Sequence, residues 1–209
     1  MAVATYYDTY GQYPPSAVAG LDGRPWHSWR VLILPYLEHN ELYKAYDFGE
    51  PWDGPHNRLL AEKMPRTYAF HGTHRPEKTT TNYLAVVGDS TVWRGTPVTM
   101  DDVTDGVLST ILIVENNGAG VHWMEPRDLA LDSLDLHLNS PGGVSSPYEN
   151  PAVVTVGGYV HRLRSTLQPT VLRALLTING GENLDPNGLN GWDLLPDGRD
   201  RSLASPGSR

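Results

Sequence analysis

Ser28 to Asn57, SWRVLILPYLEHNELYKAYDFGEPWDGPHN, is the stretch whose reading decides the fold. Trp29, Leu32, Ile33, Tyr36 and Leu37 recur at helical spacing, which gives one apolar face. Ser28 stands where an N-cap is needed, its hydroxyl able to accept from one of the unpaired N–H groups of the first turn. Pro35 removes a helical hydrogen bond and predicts a kink or division between Val31 and Tyr36. Asn40 then opens a second short helix over 41–46, with Leu42, Tyr43 and Tyr46 inward. Glu50-Pro51-Trp52-Asp53-Gly54-Pro55 sets two prolines and a glycine around a large indole, a rigid turn that pins Trp52 against the helices. The segment holds no chemical reagent. It is a packing nucleus.

Around this nucleus the chain is acidic and rich in turns. Of 209 residues, 24 are Asp or Glu and 16 are Lys or Arg, a balance that excludes a nucleic-acid footprint. The 21 glycines and 17 prolines predict that loops outweigh regular structure. The absence of cysteine excludes disulfides and thiolate chemistry. No apolar run approaches the ~18 residues of a membrane span. One head domain over 1–182 followed by a flexible polar tail over 183–209 is the expected organisation.

Residues 2–10 form a helix stopped by Gly11. His56 to Met64 should show Leu59, Leu60 and Met64 on one side, and Thr67 to Phe70 is a strand. Asn82 to Gly88 is a strand with Tyr83, Ala85 and Val87 on one face, and 91–93 is expected to extend it. Thr110 to Glu115 carries the continuous Ile-Leu-Ile-Val run of a central strand buried on both faces. Val121 to Met124 would pair beside it, and 125–150 is a long excursion with little order. Val153 to Leu163 is a hairpin joined by a two-residue turn at Gly157-Gly158. Gln168-Pro169-Thr170 opens a helix with Val171, Leu172, Leu175 and Leu176 inward.

Several residues carry possible chemistry. His71 and His74 are spaced to hold a zinc ion on an ordered loop, with His122 and Glu125 as the obvious further ligands. Against this, they are two ordinary loop histidines. Asp101, Asp102 and Asp105, with Glu115 at the far end of the central strand, could offer oxygen ligands to calcium; the simpler reading is turn and capping acids. The segment beginning Asp185-Pro186-Asn187-Gly188 lacks the acidic ligand series of a calcium loop. Of the tryptophans, Trp29 and Trp52 belong to the core, while Trp93 and Trp123 are candidates for an exposed stacking surface. No nucleophile elbow and no phosphate-cradling glycine loop occurs.

The nucleus also resembles the signature of a large bacterial family of prepilin-like proteins, a family of unknown function that some collections label solute-binding. The resemblance rests on Trp29, Pro35, Tyr36, Leu37, Pro51 and Trp52. It continues in Tyr7 to Pro15, in Asn82 and Tyr83, in Asp105-Gly106, in Glu115 and in Leu172 to Glu182. It implies an α+β, pilin-like head, with short N-terminal helices packed on a small, mostly antiparallel sheet. It also implies a cell-envelope location, with other pilin-like subunits or envelope proteins as partners. Members typically begin with a cleavage/methylation peptide and one long hydrophobic helix; here Met1 to Tyr6 resembles the last turns of that helix, so this chain is expected to be a monomer as it stands. Where members carry Ala-Asp-Gly-Ser in the late hairpin, this chain has Gly157 in place of the aspartate, with Gly158 matching the glycine. The expected function is therefore a non-catalytic structural or assembly head without cofactor or metal. The alternatives are an extracytoplasmic small-solute or glycan-binding protein and a metal-dependent hydrolase using His71 and His74.

Overall fold

The computed structural model describes residues 2–70 and 78–181, and the backbone of 192–193. Helix α1 (Ala2–Tyr10) ends at Gly11, whose φ of +70° and N–H bond to the Tyr7 carbonyl (2.7 Å) form a left-handed C-terminal cap. Strands β1 (Ala17–Ala19) and β2 (Pro25–Ser28) make a small antiparallel hairpin. Ser28 closes β2 and caps α2 (Trp29–Leu32), its Oγ accepting from the Arg30 N–H at 3.2 Å. Pro35 then has its predicted effect. The helix breaks at Ile33 and resumes as a 3-10 turn over Leu34–Leu37, which Glu38 ends in the left-handed region. Helix α3 (Asn40–Ala45) follows and buries Leu42, with Tyr46 buried just beyond it and Tyr43 half-buried.

The remaining elements are β3 (Thr80–Thr81), β4 (Tyr83–Leu84), β5 (Val86–Val87), β6 (Ile111–Glu115), β7 (Val121–His122), β8 (Leu129–Ala130), β9 (Ala152–Thr155), β10 (Val160–Leu163), α4 (Pro169–Leu176) and β11 (Trp192–Asp193). The main sheet has the order β11-β10-β9-β6-β4 and is antiparallel throughout. Among the described residues there are also three two-stranded pairings, of which β5 with β8 is parallel. The chain is thus α+β and loop-rich, with a small, mostly antiparallel sheet. β6 is an interior strand, paired on one side with β4 and on the other with β9, which takes the middle position, and it is buried along its whole length. A bulge between Ile111 and Ile113 interrupts its alternation, so Leu112 and Ile113 face one apolar cluster while Ile111 and Val114 face another. The first cluster holds α1, the nucleus and Trp29, Trp93 and Trp123. The second holds Leu172, Leu175 and Leu176 of α4, the inward face read from the sequence.

Several local expectations are corrected, each by a competing partner. Residues 82–88 are not one strand. The Ala85 N–H donates to Asp128 Oδ1 (2.8 Å) and its carbonyl accepts from Leu129 (3.1 Å), so the chain leaves β6 after Leu84 and joins β8. Val121 and His122 pair with Thr80 and Thr81 instead of β6, whose two edges β4 and β9 already occupy. Residues 91–93 form a turn, with the Trp93 N–H satisfied by Thr91 Oγ1 (3.1 Å). Beyond Pro65, Arg66–Tyr68 is a 3-10 turn, not a strand, held by the Tyr68 hydroxyl on the Arg30 carbonyl (2.6 Å). Asn57–Lys63 is also 3-10; its threefold repeat buries Asn57 and Leu60 together and leaves Leu59 77% exposed.

The late hairpin turns through three residues, not two. Thr155 N–H donates to the Tyr159 carbonyl (2.9 Å), and Gly158 sits at φ +84°, the left-handed position that follows a type I turn in such loops. Residues 125–150 are more ordered than their composition predicts, since Leu129, Leu131 and Val144 are buried in the α4-side cluster. Part of the polar tail, Trp192–Asp193, pairs with Leu163 and Arg162 as an edge strand.

Candidate functional site

Two features stand out at the centre of the molecule: a buried ion pair and, beside it, an apolar cavity. Arg30 lies on α2 within the nucleus, and its side chain is 0% exposed; that of Asp128 is 2% exposed. Arg30 Nη1 donates to Asp128 Oδ1 at 2.7 Å. The rest of the guanidinium donates to three carbonyls, from Nε to Trp123 (3.2 Å) and from Nη2 to Glu125 (3.1 Å) and Arg127 (2.9 Å). Asp128 also accepts from the Trp29 indole (3.2 Å) and from the Ala85 N–H. Burial raises the Asp128 carboxyl above its ordinary value, and Arg30, the Ala85 N–H and the Trp29 indole offset only part of that rise. These bonds join the nucleus and Ala85 to the 123–128 loop. The pair is a structural bolt. Neither residue was singled out from the sequence, where Arg30 is one polar position in an apolar helix and Asp128 one acid in a loop.

The cavity has a volume of about 540 Å³ and lies between α1, the nucleus and one face of β6, β9 and β10. Four residues singled out from the sequence, Trp29, Leu37, Tyr83 and Glu115, meet in its wall, although they come from three separate stretches. Register explains part of this: Tyr83 of β4 pairs directly with Glu115 of β6. Glu115 is buried and its Oε2 accepts from the Ala152 N–H (2.7 Å). Arg162 of β10 places its guanidinium 5.5 Å from the centre of the Tyr148 ring and donates from Nη1 to the Asn150 carbonyl (2.9 Å). Burial, aided by Glu115, pushes the Tyr83 phenol up to about 12, so it is a neutral hydroxyl at physiological pH.

The other residues singled out hold loops together. Pro35, with Tyr36 half-buried behind it, opens the 3-10 turn. The Pro51 carbonyl and the Asp47 backbone are clasped by the buried Asn57 side chain, a polar hub that the turn composition alone did not reveal. Trp52 is half-buried against the His122 ring, with 4.9 Å between centroids. Asn82 bridges the Phe70 N–H and the Asn116 carbonyl. Asp105 accepts from the Gly180 (2.7 Å) and Gly181 (3.0 Å) N–H groups, while Gly106 turns at φ +99°.

The candidate ligand sets are placed as follows. Asp102 closes a capping box with Thr99 and pairs with Arg94 (3.0 Å), and the Thr99 N–H, its hydroxyl and Arg94 hold its carboxyl below the usual range. His122 Nδ1 accepts from the Met124 N–H. Burial works upward on Glu125, but Arg127 and the His122 N–H outweigh it and hold the carboxyl low. Among the described residues no group of three or more His, Cys, Asp or Glu is arranged to hold a metal ion. His71, His74 and the segment beginning at Asp185 lie outside the described residues. The stacking surface expected of Trp93 and Trp123 is corrected. They are 1% and 0% exposed, and their indoles donate inward to the Leu112 (2.6 Å) and Ala61 (2.9 Å) carbonyls.

Fold and site together define an α+β domain whose conspicuous sequence features serve packing. Residues 1–69, which contain α1 and the whole nucleus, match the model of a family described as a protein of unknown function (DUF1559, SBP_bac_10). No curated protein and no solved structure matches the chain. No helix among the described residues is long and apolar enough to cross a membrane.

Proposed function

We propose that this chain is a non-catalytic head domain of a pilin- or pseudopilin-like cell-surface assembly. The observation that supports it best is the direction of burial along α1. Ala2 and Val3, in the first turn, are packed into the tryptophan-rich cluster, whereas Asp8, Thr9 and Tyr10 at the other end are exposed. The head is therefore gripped at the beginning of its first helix, as a domain carried on a helical stalk would be. The charged groups buried most deeply, Arg30 and Asp128, are spent on architecture, and the matched family segment contributes packing residues and turns.

The genomic sequence upstream of the Met1 codon tests this reading. An in-frame Gly-Phe-Thr-Leu-x-Glu-like segment followed by ~20 apolar residues is the expected finding. A stop codon close upstream would remove the filament role. Metal analysis tests the non-catalytic part: stoichiometric zinc that disappears in His71→Ala or His74→Ala would restore the hydrolase alternative.

A further inference from the structure

The cavity beside the nucleus has the attributes of a binding site, and its chemistry selects a ligand class. Its volume of about 540 Å³ falls within the 300–1,000 Å³ typical of small-molecule sites. Side chains such as Ile33, Leu37, Phe70, Ile113 and Val154 give it apolar walls. Tyr83 faces Glu115 across the β4–β6 pair and the Arg162 guanidinium lies 5.5 Å from the Tyr148 ring centre, while Thr67 and Tyr68 add polar groups elsewhere in the wall, the Tyr68 hydroxyl being taken by the Arg30 carbonyl. Glu115 and Arg162 carry opposite charges, and both are engaged by the protein, through the Ala152 N–H and the Asn150 carbonyl. A ligand carboxylate drawn to Arg162 would also meet Glu115, and a ligand ammonium drawn to Glu115 would also meet Arg162, so the two wall charges offset each other while either ligand loses its hydration on entry. The Tyr83 hydroxyl differs. It makes no hydrogen bond among the described residues, and it stays protonated at neutral pH.

We infer that this cavity binds a neutral, elongated apolar molecule bearing a single hydroxyl, of the primary aliphatic alcohol class, with the hydroxyl against Tyr83 and the chain along Ile33, Ile113 and Val154. The inference is independent of the assembly reading. A head domain with or without a filament role can carry it.

The test uses the 209-residue chain and three ten-carbon probes below their micellar concentrations: decan-1-ol, decanoate and decylammonium. Isothermal titration at pH 7 should give saturable one-to-one binding of decan-1-ol, at least tenfold tighter than either charged probe. Tyr83→Phe should weaken decan-1-ol several-fold and leave decanoate unchanged. Val160→Trp should block all three probes. Val160 lines the cavity and is 57% exposed, so the larger side chain can be accommodated at the rim without unfolding the sheet.

A readout without mutation follows from the isoleucines. Ile33 and Ile113 line the cavity and Ile111 and Ile178 do not, so decan-1-ol should move the first two methyl resonances and spare the others. Absence of saturable binding, equal affinity for the three probes, or shifts at Ile111 and Ile178 alone would each overturn the inference.

Discussion

Truncating Asp128 to alanine is the most informative single perturbation of this fold. The carboxylate accepts from Arg30 Nη1 at 2.7 Å, from the Ala85 N–H at 2.8 Å and from the Trp29 indole at 3.2 Å. Its removal leaves a guanidinium at 0% exposure without its counter-charge, together with two unpaired N–H donors. Breaking a buried pair in this way costs about 3–5 kcal/mol, a large part of the ~5–15 kcal/mol that stabilises a typical domain. Asp128→Asn preserves shape and an acceptor, and should cost less, about 1.5–3 kcal/mol, the scale of hydrogen bonds to charged groups. Replacing both partners, Arg30→Met with Asp128→Leu, removes the buried charges. It also strips donors from the Trp123, Glu125 and Arg127 carbonyls, so stability should improve on Asp128→Ala without returning to the starting value. Urea unfolding followed by tryptophan fluorescence measures all three. A cost below ~1 kcal/mol for Asp128→Ala, the range of exposed pairs, would refute the bolt as described.

Other expectations concern the turns, the histidines and the tryptophan core. Gly158→Ala should cost ~1–2 kcal/mol in urea unfolding because the position lies at φ +84°, and Gly158→Asn should cost less. His27, His122 and His161 all have pKa values lowered by burial, so the unfolded chain takes up protons first. Their contribution to stability is complete above the unfolded value of ~6.5 and is lost as pH falls through that value toward the lower folded ones. Thermal melts should accordingly drop between pH 7.5 and 5.5, and His27→Gln should flatten that slope; an unchanged slope counts against burial as its cause. Trp93→Phe strands the buried Leu112 carbonyl and should cost ~1–3 kcal/mol, whereas a solvent-facing indole would cost almost nothing.

The nucleus was legible in the sequence because its determinants are local. Ser28 caps, Pro35 divides and Gly11 stops through bonds made within a few residues, so reading them needs no tertiary information. The Ile-Leu-Ile-Val run announced a strand buried on both faces, and that is where β6 lies. Errors gathered where backbone groups had distant partners. Ala85 bonds Asp128 across 43 positions and ends β4, and Tyr68 reaches the Arg30 carbonyl across 38. Trp93 and Trp123 misled for a related reason: each sits among turn residues, and only the inward direction of its indole N–H shows that it is core. The cavity was half legible. Trp29, Leu37, Tyr83 and Glu115 stand out in the sequence, but nothing in their spacing brings them to one wall.

The buried pair also ties together segments that have little regular structure of their own. The 123–128 loop has no long strand or helix to hold it, and the loop's Trp123 must enter the core with its indole on the Ala61 carbonyl. Arg30 supplies from α2 the donors that three of the loop's carbonyls need, while Asp128 returns an acceptor to Trp29 of the same helix and to Ala85. One ion pair therefore fixes the loop, the end of β4 and the start of the nucleus together. An apolar contact of the same size could bury as much surface but could not satisfy those carbonyls or set their positions. The cavity borders this bolted region through Trp29 and Tyr68 and reaches to β10, so one wall is tied to the ion pair and the other is made by strands of the main sheet. Val160 lines the cavity and is 57% exposed, which is why a substitution there, and not one in the nucleus, is the appropriate way to obstruct it.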